Sequence, residues 1–238
     1  MIVLEGRELE FCYDEADASP LFSGVSLQLH AGQCIALSGP SGGGKSTLCY
    51  LLAGVIPRSR DVGRRGGQAL LLGQEVDKMP LAQVVQALGL VFQDADSQLF
   101  SPLVEDEIAF GPENLCLPRD EIGRRIDEAL AATGMSEFRL RRVDELSGGQ
   151  KQLIALAAVL ACQPRVLILD EAFSMLDAEA AAQMAAVLRR LLDQGAAVLM
   201  VEHEPSRLSL ADTVYELNHG RLNLLRAGAA VKQGEGGR

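Results

Sequence analysis

Gly39-Pro40-Ser41-Gly42-Gly43-Gly44-Lys45-Ser46 fits G-x-x-x-x-G-K-[ST] at every fixed position. The chemistry implied is the cradling of a phosphate chain. Glycines let backbone N–H groups turn inward without side-chain obstruction, and a following helix adds the partial positive charge of its N-terminus. Lys45 is expected on the β- and γ-phosphates, with the Ser46 hydroxyl on Mg²⁺. A second constellation is Val166-Leu167-Ile168-Leu169-Asp170-Glu171, an apolar run ending in two acids. Burying carboxylates costs several kcal/mol, roughly, unless they are paired or metal-bound, so packing explains such a pair poorly. Asp170 suits a Mg²⁺ site, and Glu171, one residue on, suits the polarisation of an attacking water. The third is Leu146-Ser147-Gly148-Gly149-Gln150 ahead of an Ala/Leu-rich stretch. Ser147 followed three residues later by Gln150 reads as a capping box, and the two glycines leave the first turn open to an anion.

Positioning these groups requires strands that end beside helix starts. Strand-like and helix-like segments alternate along most of the chain, which argues for the α/β class. Leu9 to Tyr13 and Val25 to His30 alternate apolar with polar, as half-buried antiparallel strands do. Cys34 to Ser38 reads as a strand into the glycine loop, and Lys45 to Leu52 as the helix leaving it. Ala69 to Leu72 and Glu75-Val76 around Gly73-Gln74 predict a hairpin, as do Thr213 to Leu217 and Arg221 to Leu225 around Asn218-His219-Gly220. Leu88 to Phe92 reads as a buried strand, and Val166 to Leu169 and Ala197 to Val201 are uninterrupted apolar runs, the pattern of central parallel strands. Val104 to Ala132 reads as helical and acidic, broken at Gly111-Pro112 and at Leu117-Pro118. No repeat or linker separates this helical block, so it reads as a subdomain. The tail beyond Arg226 is Gly-rich and is expected to fray.

Composition narrows the function classes. A chain of 238 residues is long enough for a core that needs no disulfide or structural metal. The net charge of −10 disfavours nucleic acid as a partner. The one basic cluster, Arg58, Arg60, Arg64 and Arg65, reads as a solvated loop. Five cysteines without a CxxC pattern suggest reduced thiols in a cytosolic setting. The start of the chain lacks a basic signal segment, and the longest apolar run, Leu153 to Cys162, is about half of what crosses a bilayer.

The phosphate loop, the helix start and the paired acids, in this order, resemble an ATP-binding cassette ATPase over nearly the whole chain. The resemblance implies a P-loop NTPase core with an antiparallel β subdomain and an inserted α-helical subdomain. Residues 1–93 and 164–238 would form the nucleotide-binding core and 94–163 the helical, signature-bearing part. It implies ATP held by Gly39 to Ser46 together with Thr47, and Tyr13 stacked on adenine. Mg²⁺ would be held by Ser46, Gln93 and Asp170. Glu171, His203 and Gln93 would serve the hydrolytic step. In such ATPases two subunits enclose two ATP molecules, so Ser147, Gly148, Gly149, Gln150 and Asp177 would contact the ATP of a partner subunit.

Gln93-Asp94-Ala95-Asp96-Ser97-Gln98-Leu99-Phe100, followed by the acidic stretch to Phe110-Gly111-Pro112-Glu113-Asn114, is similar to the ATPase component of energy-coupling-factor importers. That branch imports vitamins and transition-metal ions, and the ATPase works with an integral membrane component on the cytoplasmic face of the membrane. Asp94, Asp96, Gln98, Leu99 and Phe100 are then expected to form the docking surface for that component. The ATPase of a binding-protein-dependent importer and a soluble ATPase of iron–sulfur assembly are the alternatives. Three positions depart from the family pattern: Leu153 replaces an arginine, and Ala172-Phe173 replace Pro-Thr, placing Phe173 near the expected dimer seam.

Overall fold

A computed structural model of the chain describes residues 1–13, 19–58 and 63–227. Two antiparallel strands, β1 (Ile2–Cys12) and β2 (Phe22–His30), precede β3 (Cys34–Ser38), the glycine loop and α1 (Lys45–Leu52). Next come α2 (Val55–Arg58), β4 (Arg64–Leu71), β5 (Gln74–Glu75), α3 (Leu81–Ala87) and β6 (Leu88–Val91). Three helices follow, α4 (Val104–Asn114), α5 (Arg119–Thr133) and α6 (Gly148–Leu160). The chain then runs through β7 (Val166–Asp170), α7 (Ala178–Asp193), β8 (Ala197–Val201), α8 (Pro205–Leu208), β9 (Thr213–Asn218) and β10 (Arg221–Arg226).

The strands form two sheets, a four-stranded antiparallel one ordered β2-β1-β4-β5 and a six-stranded one ordered β10-β9-β3-β8-β7-β6. In the larger sheet all strands but β10 run parallel. Its central strands β7 and β8 are buried at every residue, the expected consequence of helices or sheet covering both faces. Alternate residues feed two cores. Ala36, Leu167, Leu169, Val198 and Met200 pack with α4, α5, α6 and α7, while Ile35, Leu37, Ile168, Leu199 and Val201 pack with α1 and the antiparallel sheet. Each fully buried aliphatic side chain contributes about 1.5–3 kcal/mol, so both faces pin the sheet's register.

That register positions the site. Leu37 of β3 pairs with Val201 of β8, Asp170 of β7 pairs with the same Val201, and Val91 of β6 pairs with Leu169. The four strands therefore end level. The residues just beyond them, Gly39, Glu171, His203 and Gln93, emerge along one edge, where open α/β sheets bind ligands.

The α/β class is the one expected, but local details differ. The helix α4 runs through Pro112, because Pro112 lies on the buried stripe with Val104, Ile108 and Ala109 and packing outweighs its missing N–H. Of the two expected breaks only the second occurs, at 115–118, with Pro118 preceding the first turn of α5. The first hairpin turns at Leu72-Gly73, one residue early, since both adopt positive φ (52° and 81°) as a two-residue turn of matching twist demands. The second turns at His219-Gly220 in the same way. Arg64 and Arg65 belong to β4, paired with Cys12 and Phe11, rather than to a loop. Arg60 and the tail from 228 on lie outside the described residues. Among the described residues no helix is long and apolar enough to cross a membrane.

Candidate functional site

The phosphate-type loop leaves β3 through Gly39, whose φ of 133° is open to glycine alone and whose Cβ would sit 2.3 Å from the Leu217 carbonyl oxygen. It enters α1 through Gly44, a left-handed cap with no side-chain hydrogen bond, so the first-turn N–H groups of α1 stay open to an anion. Lys45 is buried, and its ammonium donates to the carbonyls of Gly39 (3.1 Å) and Pro40 (2.8 Å). The Ser46 hydroxyl, one residue on, donates to Asp170 Oδ1 at 2.8 Å. The bond ties α1 to the end of β7 across 124 residues of sequence.

Asp170 is almost wholly buried, and burial pushes its carboxyl above the usual carboxylate range. The Ser46 and Tyr50 hydroxyls and the Lys45 charge oppose that shift, while the charge of Glu171 adds to it. Glu171 itself stands at φ 50°, a left-handed conformation costing about 1–3 kcal/mol in a non-glycine residue. The turn swings its carboxylate out of the strand, where Oε1 lies 3.3 Å from His203 Nε2. His203 follows β8, and its backbone N–H donates to the buried Glu202 carboxylate at 2.7 Å.

Tyr13, Ser41, Gly42, Gly44, Lys45, Ser46, Thr47, Gln93 and Glu171 line one cleft of about 480 Å³. The Tyr13 hydroxyl shares a 2.6 Å hydrogen bond with Thr47 Oγ1, and its ring stands edge-on to Phe11 at 4.9 Å. Ser147, Gly149, Gln150 and Asp177 line a different crevice of about 320 Å³, together with Leu153 and Glu179. There the capping box forms as expected. Ser147 Oγ accepts from the Gln150 N–H at 3.3 Å, and Gln150 Oε1 accepts from the Ser147 N–H at 2.9 Å. A Cβ at Gly148 would meet nothing within 4 Å, and the Asp177 carboxylate caps α7 by accepting from the Ala180 N–H. The sequence-predicted residues thus fall into two groups that one chain does not bring into a single cleft. A roomier hollow of about 530 Å³ between Arg125, Gln163 and Gln194 contains none of them.

Asp96 is a surface acid, its side chain 69% exposed, with one carboxylate oxygen paired to Lys151 of α6 at 2.6 Å, and the exposed Asp94 accepts from the Asp96 N–H and the Ser97 hydroxyl. One expectation changes. Phe173 is not at an open seam but 1% exposed in the core, and Leu153 and Ala172 are buried too. Gln152, a further residue that holds the site, went unseen in the sequence, and Gln98, read there as part of a docking surface, holds it as well. Gln152 donates to the Phe92 carbonyl at 2.7 Å and Gln98 to that of Leu90 at 3.2 Å, fixing the loop that carries Gln93. Glu202 had a readable signal, an acid closing an apolar strand as Asp170 does.

Comparison with known proteins agrees with this geometry. The family model for ABC transporters matches residues 22–174, a span that holds the glycine loop, the Ser147 helix start and the paired acids but not Tyr13, Asp177 or His203. The energy-coupling factor transporter ATP-binding protein EcfA1 of Levilactobacillus brevis is 40% identical over 92% of this chain and 77% of its own length. An ABC transporter ATP-binding protein of Methanosarcina acetivorans is also 40% identical, over 93% of this chain, which spans only 35% of that longer protein. Among solved structures, cbiO1 from Clostridium perfringens, described as part of the ABC transporter complex cbiONQ, superposes with a TM-score of 0.80. The identity is 31%, with 93% of this chain and 86% of that one covered. Cleft, strand order and similarity agree, and the chain belongs to the ABC transporter family.

Proposed function

We propose that the chain is the ATP-binding and ATP-hydrolysing subunit of an energy-coupling-factor importer for a vitamin or transition-metal ion. The observation that carries the enzymatic part is the level ending of β3, β7 and β8, which sets Lys45, Ser46 and Glu171 along one cleft, with Asp170 bonded to Ser46 and His203 to Glu171. The importer branch is supported by the EcfA1 relative and the cbiO1 likeness.

Each residue then has a task. The open N–H groups of α1 and the Lys45 ammonium bind the phosphate chain, and Tyr13 offers its ring to the base. Glu171 orients a water and accepts its proton, with His203 steadying the carboxylate and Gln93 closing the cleft beside it. Ser46 and Asp170 fit Mg²⁺. Both offer hard oxygens 2.8 Å apart, and among the described residues no cluster of three acids, histidines or cysteines makes a site of protein ligands alone. When bound, that ion neutralises charge on the transferred phosphoryl group. Residues 94–163 would act as the inserted helical subdomain, and 1–93 with 164–238 as the core.

The separate crevice around Ser147 supports the head-to-tail dimer that the family resemblance implies, in which Ser147 to Gln150 and Asp177 of one copy would face the nucleotide of the other. The membrane component would dock on Phe100 and Phe110, exposed rings 4.6 Å apart in an edge-on pair, and hold the ATPase at the cytoplasmic face. Purifying the chain from membranes with every attached subunit identified tests this reading. An integral membrane component retained by the parental chain and lost in Phe100→Ala supports it, and a chain recovered without membrane subunits contradicts it.

A further inference from the structure

Arg207, on the four-residue helix α8, stands outside the cleft yet touches both loops that carry the reactive pair. Its Nη1 donates to the Phe173 carbonyl at 3.1 Å, two residues after Glu171. The same nitrogen lies 3.5 Å from Glu202 Oε2, one residue before His203. Its Nε reaches Glu204 Oε2 at 3.2 Å, and the guanidinium lies 5.4 Å from the centroid of the Phe173 ring. Glu202 is buried, and its other oxygen accepts the backbone N–H groups of His203 and Glu204 at 2.7 and 3.0 Å. The Glu202 N–H in turn donates to the Leu37 carbonyl at 3.1 Å, two residues before the glycine loop begins.

One planar cation therefore links the ends of β7 and β8, and through Glu202 the end of β3. An arginine suits the task because its fork is preorganised and can donate while lying over an aromatic ring. The β7–β8 ladder stops at Asp170 and Val201, and beyond it the Glu171 and His203 side chains, the latter 41% exposed, meet in a 3.3 Å contact. The geometry points to Arg207 as a positioning residue for hydrolysis, holding His203 against Glu171 by clamping Glu202 to Phe173. The inference rests on the ATPase reading above. The buried Phe173, a departure from the family pattern, is then one jaw of this clamp.

The test compares Arg207→Ala, Arg207→Lys, Phe173→Leu and the control Arg139→Ala with the parental chain. Arg139→Ala removes ion pairs to Glu105 and Asp127 far from the cleft. Steady-state kcat, equilibrium ATP affinity and thermal midpoint are measured for each. Arg207→Ala should lower kcat about ten- to a hundredfold, the scale of a misplaced reactive group. ATP affinity should stay within about twofold, because the glycine loop keeps its own bonds. Folding should survive, since Glu202 keeps two backbone donors. If it does not, Arg207→Lys and Phe173→Leu carry the test, each with reduced kcat and unchanged affinity. Parental kcat in the folded Arg207 variants, or an equal kcat loss in Arg139→Ala, overturns the clamp. Glu171→Gln in the same assay separates the two levels. If it hydrolyses ATP at the parental rate, the ATPase reading fails and the clamp with it. If it is inactive while Arg207→Ala is not, only the clamp fails.

Discussion

The cleft at α1 and the crevice at α6 both use a helix N-terminus, but they are finished differently. α1 starts at a left-handed glycine with no side-chain cap, flanked by a buried lysine and by the Ser46–Asp170 bond. Everything needed to hold a phosphate chain is supplied by one chain, at strand ends whose register is pinned by two cores. α6 caps itself through Ser147 and Gln150 and keeps only glycines beside the cap. The capping box satisfies the N–H groups of Ser147 and Gln150, which leaves those of Gly148 and Gly149 at the first turn. On the proposed reading, the first region binds nucleotide alone, whereas the second contributes only when another copy carries nucleotide to it.

Substitutions in the first region should have the larger effects. Glu171→Gln keeps the volume of the side chain but removes the base, so turnover should fall about 10²–10⁴-fold while ATP binding persists. Phosphate-release kinetics and equilibrium binding on the same sample check this. Lys45→Ala deletes the charge nearest the loop and should weaken ATP binding by about 1.5–3 kcal/mol, readable by calorimetry. Ser147→Arg should leave the monomer's ATP affinity within about twofold, because it lies in the other crevice.

The smallest effect concerns stability. Burial raises the Asp170 carboxyl in the folded chain, so the fold binds that proton more tightly than the unfolded chain does. Any stabilisation from this group is therefore greatest below the unfolded carboxylate range and is lost as pH rises through the raised folded value. Near neutral pH the ionised group is a cost. Asp170→Asn should accordingly show a thermal midpoint at or above the parental one, with a weaker dependence on pH, although it loses hydrolysis. A clear fall in the midpoint at neutral pH would show that the Ser46 and Tyr50 bonds outweigh burial.

Legibility in the sequence followed locality. The glycine loop, the paired acids and the capping box each lie within a few consecutive residues, and their elements were readable from apolar runs on both sides. The central strands were legible for the same reason, since burial on both faces leaves an unbroken apolar stretch. Side chains meeting across the fold were not. The Asp96–Lys151 pair joins residues 55 apart, and nothing in Asp94-Ala95-Asp96 announces that partner. Phe173 reads as an oddity near Glu171 until Arg207, from α8, covers its ring. Pro112 reads as a break because its cost is local, whereas the packing that overrides it is tertiary.

The division between a self-sufficient cleft and a dependent crevice is tested most directly by the solution mass of the Glu171→Gln chain with and without ATP, measured by light scattering. The account predicts a monomer's mass without nucleotide, a doubled mass with ATP, and no doubling when Ser147→Arg is added. A mass that ignores ATP, or a dimer that forms equally well with Ser147→Arg, would contradict it.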